Sequence, residues 1–180
     1  MDWQNWQQKL ASIHATGYQL DPSRPVVVVD SNSQRLSCFS SDGEMLQQYP
    51  VSTSRYGMGQ QQGSHQTPYG LHCIAQKIGD GEPCGRVFRA RQASDEICLP
   101  DAFKSDEDVI TTRILWLQGL EPGFNRGGEV DSFERFIYIH GTSDEAHIGE
   151  PASIGCIRMK NPDVIDLFDR LHVNDLVIIE

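Results

Sequence analysis

The segment Pro25-Val26-Val27-Val28-Val29-Asp30-Ser31-Asn32-Ser33-Gln34-Arg35-Leu36-Ser37-Cys38-Phe39 sets the fold class. A β-branched run, a polar stretch and a second apolar run together predict a strand, a turn and a strand. Ser41-Asp42-Gly43 predicts another turn, and residues 45–51 a third strand. Three strands at this close spacing predict an antiparallel meander.

Further strands are predicted downstream, at residues 71–74, 109–117, 136–139 and 176–179. Residues 54–70, rich in Gly, Gln and Ser, predict a long mobile loop, and residues 80–108 are polar and turn-rich. After Cys156, Asn161 is predicted to cap a helix with Pro162 at its first position. The fold class is therefore mostly β with minor α, a sandwich or a small barrel.

Composition restricts the partners. The chain has 180 residues, with 15 Lys and Arg against 25 Asp and Glu, a net charge of −10. This length fits one ordinary domain that folds on its own core. This excess of negative charge disfavours nucleic acid and anionic membrane surfaces as binding partners. The longest aliphatic run, Val26 to Val29, is far too short to span a bilayer, so a soluble chain is expected.

The N-terminal residues 1–23 are predicted to be a helical extension before a catalytic domain at residues 24–180. Asp2 is a possible N-cap, and a short amphipathic helix is predicted from the spacing of Trp3, Trp6, Leu10 and Ile13. No export signal is recognisable here.

The cysteine count bears on location. Five cysteines are an odd number in a chain large enough to fold without disulfides. This pattern favours a reducing compartment, so a cytoplasmic location is predicted. A periplasmic location is the alternative if a signal peptide has been removed.

The strongest chemical signal is His140-Gly141-Thr142, followed by Ile148-Gly149-Glu150-Pro151-Ala152-Ser153-Ile154-Gly155-Cys156-Ile157-Arg158-Met159. A cysteine nucleophile needs a base and donors for the oxyanion that forms on attack. His140 is the candidate base for Cys156. The backbone N–H groups of Ser153, Ile154 and Gly155 are candidate oxyanion donors. Arg158 is a candidate for lowering the thiol pKa or for holding a substrate carboxylate.

The alternative for any one cysteine is a small buried hydrophobic residue. That interpretation is preferred for Cys38, Cys73 and Cys98, which lie in apolar, strand-like runs. Cys156 differs because it follows a glycine, precedes an arginine and lies shortly after a histidine that ends a predicted strand.

This constellation resembles the signature of the L,D-transpeptidase (YkuD-type) family, cysteine enzymes that act on peptidoglycan stem peptides. The family pattern, His-Gly-Thr and then Gly-x-x-x-Ser-x-Gly-Cys-Ile/Val-Arg-Met/Leu, is matched from Ile139 to Met159. Thr67-Pro68-Tyr69-Gly70 matches the family's Thr-Pro-x-Gly turn, and Pro25 to Asp30 with Arg35-Leu36 is similar to its first hairpin. The resemblance covers residues 24 to 180.

The resemblance implies a mostly β, sandwich-like catalytic domain with one or two small helices. It implies that Cys156 is the nucleophile, that His140 is the base and that the Gly141 carbonyl orients the His140 ring. Arg158 would face the substrate. The donor would be a peptidoglycan stem peptide or muropeptide, and no cofactor or metal is expected. Cys156 would attack the carbonyl of the diamino acid at the third stem position and expel the terminal D-Ala.

The molecule that accepts the acyl group from Cys156 would decide which product forms. An incoming amine gives a cross-link or an exchanged D-amino acid, whereas water gives a trimmed tripeptide. Because polymeric wall lies outside the cytoplasm, the predicted location favours L,D-carboxypeptidase activity in peptidoglycan recycling.

One position departs from the family pattern, which has a second histidine two residues before the cysteine. Here that residue is Ile154. Its backbone N–H is still available for oxyanion stabilisation, but the imidazole is lost. The nearby His147 is outside the motif and is interpreted as a solvated loop histidine.

Two alternatives from other classes are open. One is a catalytically inactive peptidoglycan-binding relative. The other is a zinc-stabilised binding module, although paired Cys-x2-4-Cys spacing is absent from its candidate ligands, His65, His72, Cys73, Cys84 and Cys98.

Overall fold

The computed structural model describes residues 13, 16–98, 100 and 109–180. Within them the α-helix α1 spans Asn161–Arg170, and 3-10 turns lie at Gly128–Val130 and Glu145–His147. The strands, in chain order, are β1 Val26–Asp30, β2 Arg35–Phe39, β3 Met45–Pro50, β4 Gly70–Ile78, β5 Arg86–Arg89, β6 Gln92–Ile97, β7 Ile110–Gly119, β8 Tyr138–Thr142, β9 Ile157–Met159 and β10 Leu176–Ile179.

These strands form a single sheet in the order β3-β2-β1-β10-β4-β7-β5-β6. Strand β8 also pairs with β7, and β9 continues from β8, so the sheet branches at β7. The β1–β10 and β8–β9 pairs are parallel, whereas β1, β2 and β3 pair antiparallel. The predicted meander is confirmed.

The main hydrophobic core joins strands that are far apart in the sheet. It includes Leu36 of β2 and Ile157 of β9, strands far apart in the sheet order, together with Leu167 of α1. The sheet therefore folds over α1 in a sandwich-like manner. The predicted class, mostly β with a minor helical part, is confirmed.

A second core cluster covers the other face of the central strands. Ile13 is fully buried here against Val26 and Val28 of β1, and Tyr18 and Leu20 pack on the same cluster. The predicted helix residues Trp3, Trp6 and Leu10 lie outside the described residues. No helix among the described residues is long and apolar enough to cross a membrane.

Within residues 80–108, for which no strand was predicted, the structure has the hairpin β5–β6. The prediction was wrong because β6 is an edge strand with mostly exposed residues and so has no apolar alternation. The two-residue turn at Ala90 and Arg91 also has no Gly or Asn to signal it.

Two predicted boundaries also need correction. Lys160, not Asn161, is the N-cap of α1, and the Asn161 side chain is buried instead of capping the helix. The strand predicted at residues 136–139 begins at Tyr138, because Phe136 has a left-handed backbone with φ 58°.

Candidate active site

His140 lies within β8 and is almost completely buried. Its Nδ1 lies 2.8 Å from the carbonyl oxygen of Gly141. Because a carbonyl only accepts hydrogen bonds, Nδ1 carries the proton in the neutral ring, and Nε2 has the lone pair. The geometry suits His140 to act as a base through Nε2.

Gly141 allows this arrangement because no larger residue fits in its place. A Cβ there would lie 2.7 Å from both Asn161 Oδ1 and the Thr111 carbonyl oxygen. Asn161 Oδ1 in turn accepts a hydrogen bond from the Thr111 hydroxyl at 2.6 Å. The start of α1 and strand β7 therefore fix the backbone that orients His140.

Cys156 immediately precedes β9, which pairs with β8 in the register Ile139 with Ile157 and His140 with Arg158. Ile139 and Ile157 point into the main core. Because side chains alternate along strands, His140 and the residues flanking Ile157 face the opposite side. The structure thus brings the predicted base and the predicted nucleophile to one face of the β8–β9 pair.

The Cys156 side chain is partly buried, and its sulfur donates to the Phe136 carbonyl oxygen at 3.4 Å. The neighbouring Trp116 stacks on Phe133 with ring centroids 4.1 Å apart. The thiol therefore lies against a largely aromatic wall, defined here by Phe88, Ile114, Trp116 and Tyr138.

The turn before Cys156 is shaped by Ser153. The buried Ser153 hydroxyl donates to the Cys156 carbonyl oxygen at 2.6 Å and accepts from the Gly155 N–H at 3.2 Å. Of the candidate oxyanion donors, the Gly155 N–H therefore already has an internal acceptor, and so does the Ser153 N–H, which donates to the Thr53 carbonyl oxygen at 3.0 Å. The Ile154 side chain is exposed, and its N–H makes no hydrogen bond to the described part of the chain.

The loop at residues 54–70 is attached to this turn. Thr67 donates its hydroxyl proton to the Gly155 carbonyl oxygen at 2.9 Å and accepts from the Ser54 N–H at 2.9 Å. Ser54 also forms a β-bridge with Ser153. The sequence predicts a mobile loop, whereas the structure holds both ends of this segment against the cysteine turn.

Arg158 points toward Asp144. Its side chain is only 5% exposed, and Nη1 lies 3.2 Å from Asp144 Oδ2. Asp144 also accepts a hydrogen bond from His147 Nδ1 at 2.6 Å, and this bond raises the pKa of the His147 imidazole. His147 is exposed, as predicted for a loop histidine.

Arg135 is a site residue that the sequence analysis missed. Its guanidinium donates to the Gln66 carbonyl at 2.7 Å and to the Gly59 carbonyl at 3.2 Å. Burial lowers the pKa of Arg135, and the charge of Cys156 acts in the opposite direction. The arginine and the thiol are therefore electrostatically coupled. Arg135 lines a cavity of about 210 Å³, whose walls also include Phe136, Ile154 and Gly155, the residue before Cys156.

The proposed zinc ligands have other surroundings. His72 is buried, with Nε2 2.9 Å from Ser132 Oγ and Nδ1 3.1 Å from the Gly70 carbonyl oxygen. Burial lowers the pKa of His72 to about 4. Across the described residues, no three His, Cys, Asp or Glu side chains form a metal-binding group. This placement gives no support to a zinc module built on His65, His72, Cys73, Cys84 and Cys98.

All five cysteines are thiols in the structure. Cys38, Cys73 and Cys98 are buried, as predicted, and Cys84 is exposed. Burial raises the pKa of Cys38 to about 12, so this thiol is protonated at neutral pH.

Comparisons with known proteins bear on this site. Residues 24–179 match the family model of the L,D-transpeptidase catalytic domain, YkuD. No curated protein sequence gives a significant match.

Solved structures share the fold. An L,D-transpeptidase from Mycobacterium smegmatis aligns with a TM-score of 0.51 at 19% identity, covering 87% of this chain and 58% of that one. An L,D-transpeptidase from Xylanimonas cellulosilytica gives 0.54 at 19%, covering 96% and 69%. L,D-transpeptidase 3 from Mycobacterium tuberculosis, in complex with a faropenem-derived adduct, gives 0.53 at 16%, covering 87% and 60%. The chain thus spans about 60% of each mycobacterial structure.

At these identities the structural likeness shows the fold alone, whereas the family model covers most of the sequence. The chain belongs to the L,D-transpeptidase catalytic-domain family.

Proposed function

We propose that the protein is an L,D-carboxypeptidase that removes the terminal D-Ala from peptidoglycan tetrapeptide stems. The observation that carries this proposal is the placement of His140 and Cys156 on one face of the β8–β9 pair, with His140 Nδ1 bonded to Gly141. An imidazole whose Nδ1 is held by a carbonyl oxygen, on the same face as a thiol, is the arrangement that nucleophilic catalysis by cysteine needs.

The acylation step begins with proton transfer from the Cys156 thiol to His140 Nε2. The thiolate attacks the carbonyl carbon of the diamino acid, and the carbonyl oxygen becomes an oxyanion. The Ile154 N–H is the proposed donor to that oxyanion, because the Gly155 N–H is directed to Ser153. Collapse of the intermediate breaks the peptide bond, and the D-Ala nitrogen leaves with the proton from His140.

The deacylation step uses the same base. His140 takes a proton from water, the resulting hydroxide attacks the thioester, and Cys156 leaves as the thiolate and regains the proton. The products are a tripeptide and free D-Ala. Arg158 supports the site through its ion pair with Asp144 and its backbone pairing with Ser52, next to the loop at residues 54–70.

Water is proposed as the acceptor of the acyl group because the proposed compartment is the cytoplasm, and polymeric wall lies outside it. An odd set of five cysteines, all of them thiols, suits a reducing environment. We therefore propose a cytoplasmic enzyme that acts on soluble stem peptides or muropeptides during recycling. The competing candidate is transfer to an amine, which the names of the solved relatives favour, since those proteins are L,D-transpeptidases.

Product analysis separates these functions. The purified protein is incubated with a diaminopimelate-containing tetrapeptide, with and without a D-amino acid, and the products are identified by mass spectrometry. We expect tripeptide and free D-Ala, with exchange products minor unless the amine is in large excess. Dimers or exchange products that dominate at modest amine concentration would assign the protein to transpeptidation.

Two variants control this experiment. Cys156→Ala should abolish turnover, whereas Cys84→Ser removes an exposed thiol and should retain it. Equal turnover by wild type and Cys156→Ala would exclude the cysteine mechanism.

Fractionation of cells that express the untagged protein tests the location, and recovery in the periplasm would contradict the recycling proposal.

A further inference from the structure

The turn of the β5–β6 hairpin has an unusual backbone. Ala90 and Arg91 form its two-residue loop, with φ of 47° and 68°. Both angles are left-handed, the geometry of a type I′ turn, which Asn and Gly adopt most easily. A side chain at such a position strains the backbone. Arg91 is therefore held at this tip in a strained backbone conformation.

The Arg91 guanidinium lies over Trp116 of the aromatic wall and over the neighbouring Phe136. Its central carbon is 5.0 Å from the Trp116 ring centroid and 4.8 Å from that of Phe136, and Nη1 donates to the Tyr138 hydroxyl at 3.3 Å. A planar guanidinium stacked on rings keeps the remaining N–H groups along its edge for hydrogen bonds. Arg91 is therefore positioned to bind an anion.

The neighbouring arginines of the hairpin behave differently. Arg86 pairs with Glu82 at 2.8 Å, and Arg89 pairs with Glu96 at 2.9 Å. Within the described residues, no carboxylate forms an ion pair with Arg91. The chain as a whole has a net charge of −10. A cation that has no carboxylate partner within the described region is therefore suited to bind an anionic ligand.

Arg91 and the proposed nucleophile share neighbours. The Cys156 sulfur donates to the Phe136 carbonyl oxygen, and Cys156 packs against the cluster that contains Trp116 and Tyr138. Phe136, Trp116 and Tyr138 are also the residues that hold the Arg91 guanidinium. A peptide whose carbonyl is attacked by Cys156 therefore binds next to the residues that hold Arg91. In a tetrapeptide donor, the carboxylate of the leaving D-Ala is three bonds from the carbonyl carbon.

We propose that Arg91 binds the terminal carboxylate of the leaving residue and so restricts the enzyme to the last peptide bond of its donor. This inference rests on the proposed carboxypeptidase function. A bidentate guanidinium–carboxylate contact recognises a free C-terminus and rejects a chain that continues past it. Arg91 is then a specificity-determining residue of the site.

The test compares kcat/KM for a tetrapeptide with a free C-terminal acid and for the same peptide with a C-terminal amide. Wild type should prefer the acid by about 10- to 100-fold, the range for one hydrogen-bonded charge pair. Arg91→Gln should lower the value for the acid to that of the amide and change the amide little. Arg89→Gln, which removes an exposed cation from the same hairpin, should retain the wild-type preference.

Three results would overturn the inference. Equal losses on acid and amide in Arg91→Gln would give Arg91 only a structural role. An unchanged preference would show that Arg91 does not contact the carboxylate. A loss that disappears when lysine replaces diaminopimelate in the donor would assign Arg91 to the diamino acid's own carboxylate.

A binding measurement keeps this inference separate from the proposed function. Calorimetry with the Cys156→Ala variant reports affinity for acid and amide peptides without turnover. Adding Arg91→Gln to that variant should weaken binding of the acid by about 10- to 100-fold and leave the amide unchanged. If wild type releases no D-Ala, the proposed function fails, and this measurement still decides whether Arg91 binds a C-terminal carboxylate.

Discussion

The hydroxyl of Thr67 donates to the carbonyl oxygen of Gly155 at 2.9 Å. This bond joins two motifs that are 88 residues apart in the chain, the Thr-Pro-Tyr-Gly turn and the Ser-Ile-Gly-Cys turn. It fixes the peptide group directly before Cys156. The same hydroxyl accepts from the Ser54 N–H, so one buried side chain connects three segments of the site.

Thr67→Val should therefore impair catalysis. Valine keeps the shape but leaves the Ser54 N–H and the Gly155 carbonyl without their partner, at a cost of about 1–3 kcal/mol each in a buried setting. We expect a lower kcat and a lower free energy of unfolding, measured by tetrapeptide turnover and urea denaturation. Thr67→Ser retains the hydroxyl and should stay close to wild type. Wild-type turnover in Thr67→Val would show that this bond does not position the cysteine turn.

His140→Ala should lower kcat by about 10²–10⁴-fold, the usual contribution of general acid–base catalysis. The matched control is His147→Ala, which removes an exposed imidazole bonded to Asp144. Steady-state release of D-Ala measures both. A greater loss in His147→Ala than in His140→Ala would reverse the assignment of the base.

Arg135→Gln should slow alkylation of Cys156 by iodoacetamide at pH 7. The Arg135 cation and the ionised sulfur are electrostatically coupled, so removing the charge reduces the thiolate fraction. Arg135→Lys retains the charge and should react faster than Arg135→Gln. Both variants need a Cys84→Ser background, because Cys84 is exposed and would also react.

Equal rates for Arg135→Gln and Arg135→Lys, both below wild type, would contradict this electrostatic role. That result would instead assign the effect to the two hydrogen bonds from Arg135 to the Gly59 and Gln66 carbonyls.

His72 should make the protein sensitive to mild acid. Its pKa is about 4 in the fold, against the ordinary histidine value of 6.5 in an unfolded chain, so the unfolded chain binds the proton more tightly. Stability is then fully present above pH 6.5 and falls as the pH decreases toward 4, by about 3 kcal/mol in total. Urea denaturation at pH 7 and pH 4.5 should show a smaller decrease for His72→Asn than for wild type. An identical decrease in both proteins would contradict the buried neutral imidazole.

The sequence predicts much of this fold because the main strands alternate or are wholly apolar. Val26 to Val29 is buried on both faces, since the main core lies on one side and the second cluster on the other. Hairpin β5–β6 is not predicted, because β5 has only four residues and β6 is mostly exposed. Asn161 was assigned to a cap by its type, but buried threonines of β7 compete for its side chain.

The residues of the site also differ in whether the sequence alone predicts them. His140 and Cys156 are recognisable because local motifs surround them, and the β8–β9 pairing then brings those motifs together. Arg135 and Arg91 lack such motifs, and their positions depend on the loop at residues 54–70 and on the turn of the hairpin. Contacts between distant segments have no signal in one sequence.

The most direct test of Cys156 as the activated nucleophile is trapping with a carbapenem, a strained acyl donor. Intact-mass analysis followed by peptide mapping locates the adduct. We expect one adduct per chain, on Cys156, with slower formation in His140→Ala and no adduct in Cys156→Ala. The absence of an adduct on the wild-type protein, or an adduct on Cys84 with Cys156 unmodified, would contradict the assignment.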